Sequence, residues 1–414
     1  MSSDNQRSNQ NASFGFYNGN RYGQHGEIRI MSAFQAIYSI AHRRIVGLEG
    51  LARGIDQDSN SVSAAQLFKS KNSQDIIRLD HLCQRVHLEN FYALNPPNTW
   101  LFLNIDPYTL SQKERHIQYL SDLVAQYGYK KHQIVIEILE SMIEDESALE
   151  ERIQQYKELG FLIAIDDFGA GQSNFERIWR IKPDIVKLDR AMLQKAGIDP
   201  SVRSLIKGIT NMLHNCKCIV VAEGVETELE AIAAMESGVD LVQGYYFSHP
   251  FLLSESIPPR HGIWKDLYQN FDLLSQRANA QYTQILSTYI DKFNEVTSGE
   301  LSDLYQMANA MLKMDRTIRL YQLSMDGEQR FSNINSDTIR IPTKDRLSAL
   351  ADAQGASWRR REYFYNAANN PGVVQATKPY FSITDGILCI TLSVQITIDG
   401  TSYIVCCDVL WEEL

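Results

Sequence analysis

A succession of short apolar runs, each stopping at a polar side chain and each followed by a helix-like stretch, constrains this chain more than any other feature. "RRIVGLEGLARG" places Glu49 where its apolar run finishes. "TWLFLNID" then delivers Asn104 and Asp106, "HQIVIEILE" Glu137, "FLIAIDDFG" Asp166 and Asp167, "DIVKLD" Lys187 and Asp189, "CIVVAEG" Glu223, and "VDLVQGYYF" Gln243. Between them, segments such as "ESALEERIQQYKELG" and "ETELEAIAAMESG" carry apolar residues at three and four spacing and end in a glycine suited to a helix stop. Strand then helix, repeated, indicates a parallel sheet covered by helices. About 240 residues of this pattern predict an α/β fold, a (β/α)8 TIM-like barrel, whose strands all deliver their C-terminal ends to one mouth.

A single acid at a strand end can cap the next helix. Glu49, Glu137, Asp166, Asp167 and Glu223 together are better explained by a shared site at that mouth. Carboxylates gathered there repel one another unless cations hold them, so a hard divalent ion, Mg²⁺ or Mn²⁺, is expected. The His and Cys ligands that zinc prefers are absent from these strand ends. The adjacent pair Asp166 and Asp167 suits a two-metal site, which activates water and stabilises both oxygens of an in-line phosphoryl displacement. Lys187 can orient that water or offset developing charge, and Gln243 can donate to a base or phosphate. Phosphodiester hydrolysis is the economical expectation.

Composition narrows the partners. With 414 residues, 44% of them hydrophobic, the chain is long enough for two domains. A net charge of -10 argues against binding a nucleic-acid polymer through a basic surface. No apolar stretch reaches the roughly 18 residues of a membrane span, so no membrane anchor and a cytoplasmic home are expected. Residues 1–26, rich in Ser, Asn, Gln and Gly at their start, read as a flexible tail without the core of a secretory signal. The six cysteines form no CxxC pair and are expected as buried free thiols.

The motifs also carry a family likeness: the stretch from about 27 to 254 resembles the bacterial EAL domains that hydrolyse cyclic di-GMP. "GLEGLAR" stands at the E-A-L signature, and "LFLNID", "IEILES", "IDDFGAGQSNF", "KPDIVKLD", "VAEGVET" and "VQGYYFSHP" follow in the family's order. The resemblance implies Glu49, Asn104, Glu137 and Asp166 as ligands of a first metal and Asp167 of a second, with Glu223 on metal or on its water. It implies that Lys187 assists the water nucleophile and that Gln243 contacts the reacting region. By the same likeness Glu140 holds the loop after "DDFG", which commonly meets a dimer partner. Arg53 would contact a phosphate, Gln35 would touch the nucleotide, and Asp189 joins them in the substrate-binding set. A homodimer through the barrel is expected. The chain departs from the family at Gly50, where alanine is usual; at Ala36, where proline follows the glutamine; and at Ala170 and Gln172, in place of Thr and Tyr. Glycine inside a regular element costs roughly 0.5 to 1 kcal/mol in order.

Past the barrel (27–257), "HGIWKDLYQNFDLLSQRANAQYTQILSTYIDKFNEV" and "LSDLYQMANAMLKM" show helical spacing, and 258–315 reads as a helical connector. Residues 316–414 alternate like an antiparallel sheet, "TIRLYQLSMDG" and "ILCITLSVQITIDGTSYIVCCDVLW" each with a "DG" turn and the second a hairpin. A half-open sheet with helices on one side is expected. This smaller α+β domain resembles sensors of the PAS and Cache type, with Arg361, Tyr363, Phe364 and Asp408 at positions that line their ligand pocket. Arg and Asp facing one pocket suit a carboxylate or amino-acid ligand. The expected activity is metal-dependent hydrolysis of cyclic di-GMP to linear pGpG, regulated by this domain. The alternative is a receptor that binds the dinucleotide without cleaving it and signals through a protein partner.

Overall fold

The computed structural model describes residues 13–69, 72–111, 115–139, 146–171, 175–255, 261–298, 303–339, 350 and 352–411. By internal contact the chain divides into two compact units, residues 1–271 and 272–414.

The strands of the first unit are β1 (Phe14–Tyr17), β2 (Asn20–His25), β3 (Ile28–Ser39), β4 (Arg44–Ile55), β5 (Ser61–Val62), β6 (Trp100–Asn104), β7 (Ile134–Leu139), β8 (Leu162–Phe168), β9 (Ile185–Leu188), β10 (Ile219–Ala222), β11 (Leu241–Val242) and β12 (Phe251–Leu252). β4, β6, β7, β8, β9, β10 and β11 pair in that order, all parallel, and β3 closes the ring by pairing with both β11 and β4. A closed eight-stranded barrel results.

β3 runs antiparallel to both its neighbours, where uniform alternation predicts all strands parallel. The cause is the link to β4, residues 40–43, turned by Arg43 at φ 53°. A link that short can join only antiparallel strands, since a parallel crossover needs a dozen or more residues. The expectation for Glu49 is corrected by the same feature. β4 does not stop there but runs on to Ile55, because Gly50–Ile55 keep pairing with β3 past the barrel rim. Glu49 lies near the end of the stretch that pairs with β6, from Gly47 to Gly50.

The tail reading of 1–26 is also corrected for residues 14–25, which form the β1–β2 hairpin and pair on through β2 to β3. Asn18 (φ 48°) and Gly19 (φ 79°) supply the turn, and Phe14 packs on the cluster around Leu79 and Val86. Polar composition hid a hairpin whose buried face is short.

Strands alternate their side chains between two faces. Ile37, Phe102, Val135, Ala164, Ile185, Val221 and Leu241, one from each of β3 and β6 to β11, meet in one cluster and so fill the barrel interior. The opposite faces join the covering helices in the larger core, with Leu103, Ile136, Ile163, Val186 and Val220 fully buried.

In the second unit, β13 (Thr317–Leu323), β14 (Ile334–Asn335), β15 (Gln375–Ala376), β16 (Tyr380–Ser382), β17 (Ile387–Ile398) and β18 (Thr401–Leu410) form an antiparallel sheet ordered β14-β13-β18-β17-β15, with β16 on β17. The expected β17–β18 hairpin turns at Asp399 (φ 47°) and Gly400 (φ 77°), the left-handed pair a two-residue turn requires. The sheet is covered on both faces, not on one. Leu320, Val405 and Cys407 pack with Phe293 and Met307 from the helices His261–Ser298 and Leu304–Met311, while Tyr321, Ile404 and Cys406 pack with Phe364 and Ala367 from the helix Glu362–Asn369. Every residue of β13 is buried, which one covered face cannot achieve. The helix His261–Ser298 contributes to two cores, through Trp264 and Leu267 to the first and through Tyr289, Phe293 and Val296 to the second. All six cysteines are free, Cys216 exposed and the others buried.

Candidate functional site at the barrel mouth

Two residues beyond the inward-facing cluster, the same face of each strand carries a polar group. Phe102 is followed by Asn104, Val135 by Glu137, Ala164 by Asp166, Ile185 by Lys187, Val221 by Glu223 and Leu241 by Gln243. The period of two therefore stacks a polar layer directly on the apolar plug.

Lys187 Nζ is the centre of that layer. It lies 2.5 Å from Glu137 Oε1, 2.6 Å from Glu223 Oε1, 3.2 Å from Asp166 Oδ1 and 3.5 Å from Glu49 Oε2. Asn104 Nδ2 donates to Glu49 Oε1 at 2.9 Å and Gln243 Nε2 to Glu49 Oε2 at 2.6 Å, so two amides fix the carboxylate that the opening run supplies. Asp167 should point away from its neighbour. Instead it adopts φ 55°, and the β8–β9 register shifts between Ile165 and Phe168. This bulge re-aims the chain, so that Asp166, Asp167 and Glu223 can each bring an oxygen within 4.8 Å of the others. Gly244 lets the loops after β10 and β11 touch: a Cβ there would fall 2.1 Å from Val225 O, where Val225 N donates to Gln243 O at 3.0 Å. That contact holds Gln243 and Glu223 at adjacent heights.

The charge balance is acidic. Burial opposes the charge on Lys187, but Asp166, Glu137, Glu223 and Glu49 outweigh it and hold its pKa well above the ordinary lysine range. Burial, then repulsion from Glu49, pushes Glu137 well above the carboxylate range. Burial likewise pushes Glu223 well up against the pull of Lys187, and burial with Asp166 raises Asp167. Glu49 goes the other way: burial opposes its ionisation, yet Lys187 and the amides of Gln243 and Asn104 win and lower it. Glu137 Oε2 has no hydrogen-bond partner among the described residues, and Oε1 meets Lys187 Nζ without hydrogen-bond geometry. Crowded acids that resist ionising beside a single ammonium, with oxygens left unused, form a donor set that fits a hard divalent cation.

The remaining expected residues divide. Gln35 pairs directly across from Glu49 in the β3–β4 ladder, which puts both side chains on one face. Arg53, four residues beyond Glu49 on β4, shares that face outside the ring and is half-buried, its Nη1 donating to Ala52 O at 3.0 Å. Asp189 caps the helix Arg190–Ala196, Oδ1 accepting from Ala191 N at 2.9 Å. Glu140 and Gln172 lie outside the described residues. One supporting residue had no motif to mark it. A Cβ on Gly50 would stand 2.8 Å from Cγ of His87, a buried imidazole on the helix Ser73–Leu94 that shares a 2.7 Å hydrogen bond with Ser32 Oγ. The glycine in the signature is the visible half of that pair.

In the second unit Arg361, Tyr363 and Asp408 line one recess, while Phe364 is buried in the core beside it. Arg319, unmarked by any motif, is the buried cation there, its Nε 2.7 Å from Asp408 Oδ2. A charged residue inside the apolar run "TIRLYQL" was the available signal.

Comparison with known proteins follows this division of the chain. A family model, the EAL domain, matches residues 24–250. PdeI of Escherichia coli K12, a probable cyclic di-GMP phosphodiesterase, is 27% identical over 235 residues, covering 53% of this chain but only 29% of PdeI. YkuI of Bacillus subtilis, an EAL-domain protein, is 25% identical over 318 residues, covering 74% of this chain and 77% of YkuI. The YkuI crystal structure, in complex with substrate c-di-GMP and calcium, aligns with a TM-score of 0.77 at 20% identity over 93% of this chain and 97% of that one, which shows a shared fold in both units. BlrP1 of Klebsiella pneumoniae, solved as a manganese and cyclic di-GMP complex, aligns at 26% identity with a TM-score of 0.50, covering 54% of this chain and 56% of that one.

Proposed function

The chain belongs to the EAL domain family, and on that premise we propose that it is a metal-dependent cyclic di-GMP phosphodiesterase yielding linear pGpG. The observation that carries the proposal is the convergence of Glu49, Glu137, Asp166 and Glu223 on Lys187 within 3.5 Å, with Asn104 and Gln243 braced against Glu49.

Glu49, Asn104, Glu137 and Asp166 would hold one divalent cation, Mg²⁺ or Mn²⁺, and Asp167 a second, with Glu223 on a cation or its water. Bound there, such cations lower the pKa of water and neutralise charge on phosphoryl oxygens. The chain's own groups act by position. Lys187 would hold the attacking water in line and offset charge as it develops; Gln243 would brace Glu49 and face the reacting group. Arg53 would take a phosphate through its planar fork, and Gln35 and Asp189 would hold the nucleotide. In the reaction the water oxygen bonds to phosphorus as the bond to the ribose 3′-oxygen breaks. That oxygen leaves with a proton, and the product is a linear dinucleotide with a 5′-phosphate. We further propose that Glu140 holds the loop after β8 for a homodimer through the barrel, and that the second unit is a sensor-like domain regulating turnover. Among the described residues no helix is long and apolar enough to cross a membrane.

The test is incubation of the full chain with cyclic di-GMP and Mg²⁺, Mn²⁺ or EDTA, followed by chromatography of the nucleotides. Metal-dependent pGpG is expected. Tight binding without product, in every metal and with the second unit saturated by its ligand, would replace the enzyme by a receptor.

A further inference from the structure

The second unit contains a cavity of about 330 Å³ on the face of its sheet that packs against the helix Leu304–Met311. That volume falls within the range of small-molecule sites. The recess on the opposite face, with Arg319 and Asp408, has about 20 Å³, room for little more than one water. Gln322 and Val405, partners across β13 and β18, line the larger space together with Met307, Ile334 and Ile398. Tyr305, Phe331 and Tyr403 add three aromatic rings to its walls, the first two of them exposed.

Gln322 gives this cavity its chemistry. The residue is 7% exposed, and its side-chain amide makes no hydrogen bond among the described residues. An amide held that far from water beside Met307 and Val405 is unfavourable until an entering group satisfies it. Its oxygen accepts and its NH₂ donates, so the full match is a donor standing beside an acceptor. A carboxylate would leave the amide oxygen unmatched, an ammonium the NH₂, and a hydrocarbon both. The edge of a nucleobase carries the required pair, and a purine offers the larger flat face to the three rings. Arg330, exposed in the lining, has its guanidinium carbon 5.4 Å from the centre of the Tyr403 ring. Its charge reaches Asp326, but no carboxylate lies within ion-pair distance of it among the described residues. A phosphate is the anion that its planar fork takes best. Asp303, the other charged residue of the lining, accepts from Tyr305 N at 3.3 Å through Oδ1 and is placed to take a ribose hydroxyl as well.

We propose that this cavity binds a purine nucleoside monophosphate, the edge of its base on the Gln322 amide, its ring among Tyr305, Phe331 and Tyr403, and its phosphate on Arg330. The inference rests on reading the second unit as a ligand-binding module and is independent of turnover in the barrel.

The test is calorimetric titration of the full chain, in EDTA to withhold the barrel's metals, with AMP, GMP, adenosine and ribose 5-phosphate. At least one nucleotide is expected to saturate the protein with a Kd below about 1 mM, and ribose 5-phosphate to bind about tenfold or more weakly. Gln322→Leu keeps the side-chain volume but removes the amide, and should weaken that nucleotide about tenfold or more. Arg330→Ala changes an exposed side chain that the core does not need, and should weaken AMP or GMP while leaving adenosine unaffected. Circular dichroism shows whether Gln322→Leu is folded; if it is not, Arg330→Ala decides. The proposal is overturned if neither nucleotide reaches that affinity, if ribose 5-phosphate binds as tightly as the nucleotide, or if Arg330→Ala or a folded Gln322→Leu binds it unchanged. A chain that hydrolyses cyclic di-GMP but binds neither nucleotide would sink this site and leave the barrel's proposed activity standing; binding without hydrolysis would do the reverse.

Discussion

Replacing Gly50 by alanine, the residue usual in the family signature, would drive a Cβ into the His87 ring. Overpacking of this kind costs about 1 to 3 kcal/mol. Urea denaturation should show that loss in Gly50→Ala and its recovery in Gly50→Ala/His87→Ala; a neutral single variant would mean the ring is free to move aside. Glu49→Ala is expected to abolish turnover with the circular dichroism unchanged, and an active, folded variant would defeat the assignment of Glu49 as a ligand. At this scale the sequence was most informative where a strand is regular. Asn104, Glu137, Asp166, Lys187, Glu223 and Gln243 are legible because each follows an inward apolar residue by two positions. Asp167 breaks the period and is legible only as half of an adjacent pair, its φ of 55° being a tertiary fact. His87 and Arg319 were not legible, since a lone histidine on a helix and a lone arginine in a strand carry no spacing that names their partners.

Elements depart from their patterns where neighbours override them. β3 reads like any other strand, yet its short link to β4 reverses it, so Gln35 reaches the Glu49 face from a strand of opposite sense and no rule about C-terminal strand ends would find it. The helix Ser73–Leu94 holds a second conflict that makes a pH prediction. Burial raises Asp80 to about 8, although Asp106 N and Gln84 Nε2 donate to it. Its neighbour His81 is lowered to about 4 by burial and by His116, whose Nδ1 is 2.8 Å from His81 Nε2. Asp80 therefore holds its proton in the folded state while the unfolded chain has lost it, and its contribution falls as pH rises from the ordinary aspartate value of 3.8 towards 8. His81 does the reverse: the unfolded chain gains a proton first, and stability falls as pH drops from 6.5 towards 4. The two oppose each other below pH 6.5, leaving Asp80 alone above it. Thermal midpoints should decline between pH 6.5 and 8 in the parent chain more than in Asp80→Asn; equal slopes would show that Asp80 is ionised in the folded protein.

The whole molecule has two sets of cores, one in each compact unit. Calorimetry should resolve their unfolding into separable components, with Mn²⁺ raising the barrel component alone, as mass action requires of a ligand that binds only the folded state. A single ligand shifting both components equally would mean that the units unfold as one. The barrel was readable from patterning, whereas the covering of the second sheet on both faces was not, because continuous burial in a run such as "TIRLYQL" looks the same whichever elements lie above and below it. Lys187, finally, bears on how the protein is made. An acidic mouth with no cation of its own would need its metal to finish folding, but here an ammonium is tethered among the acids from the start. On this geometry the chain is expected to complete the barrel without a metal. Refolding in EDTA should reach the native state for the parent chain and stall for Lys187→Met.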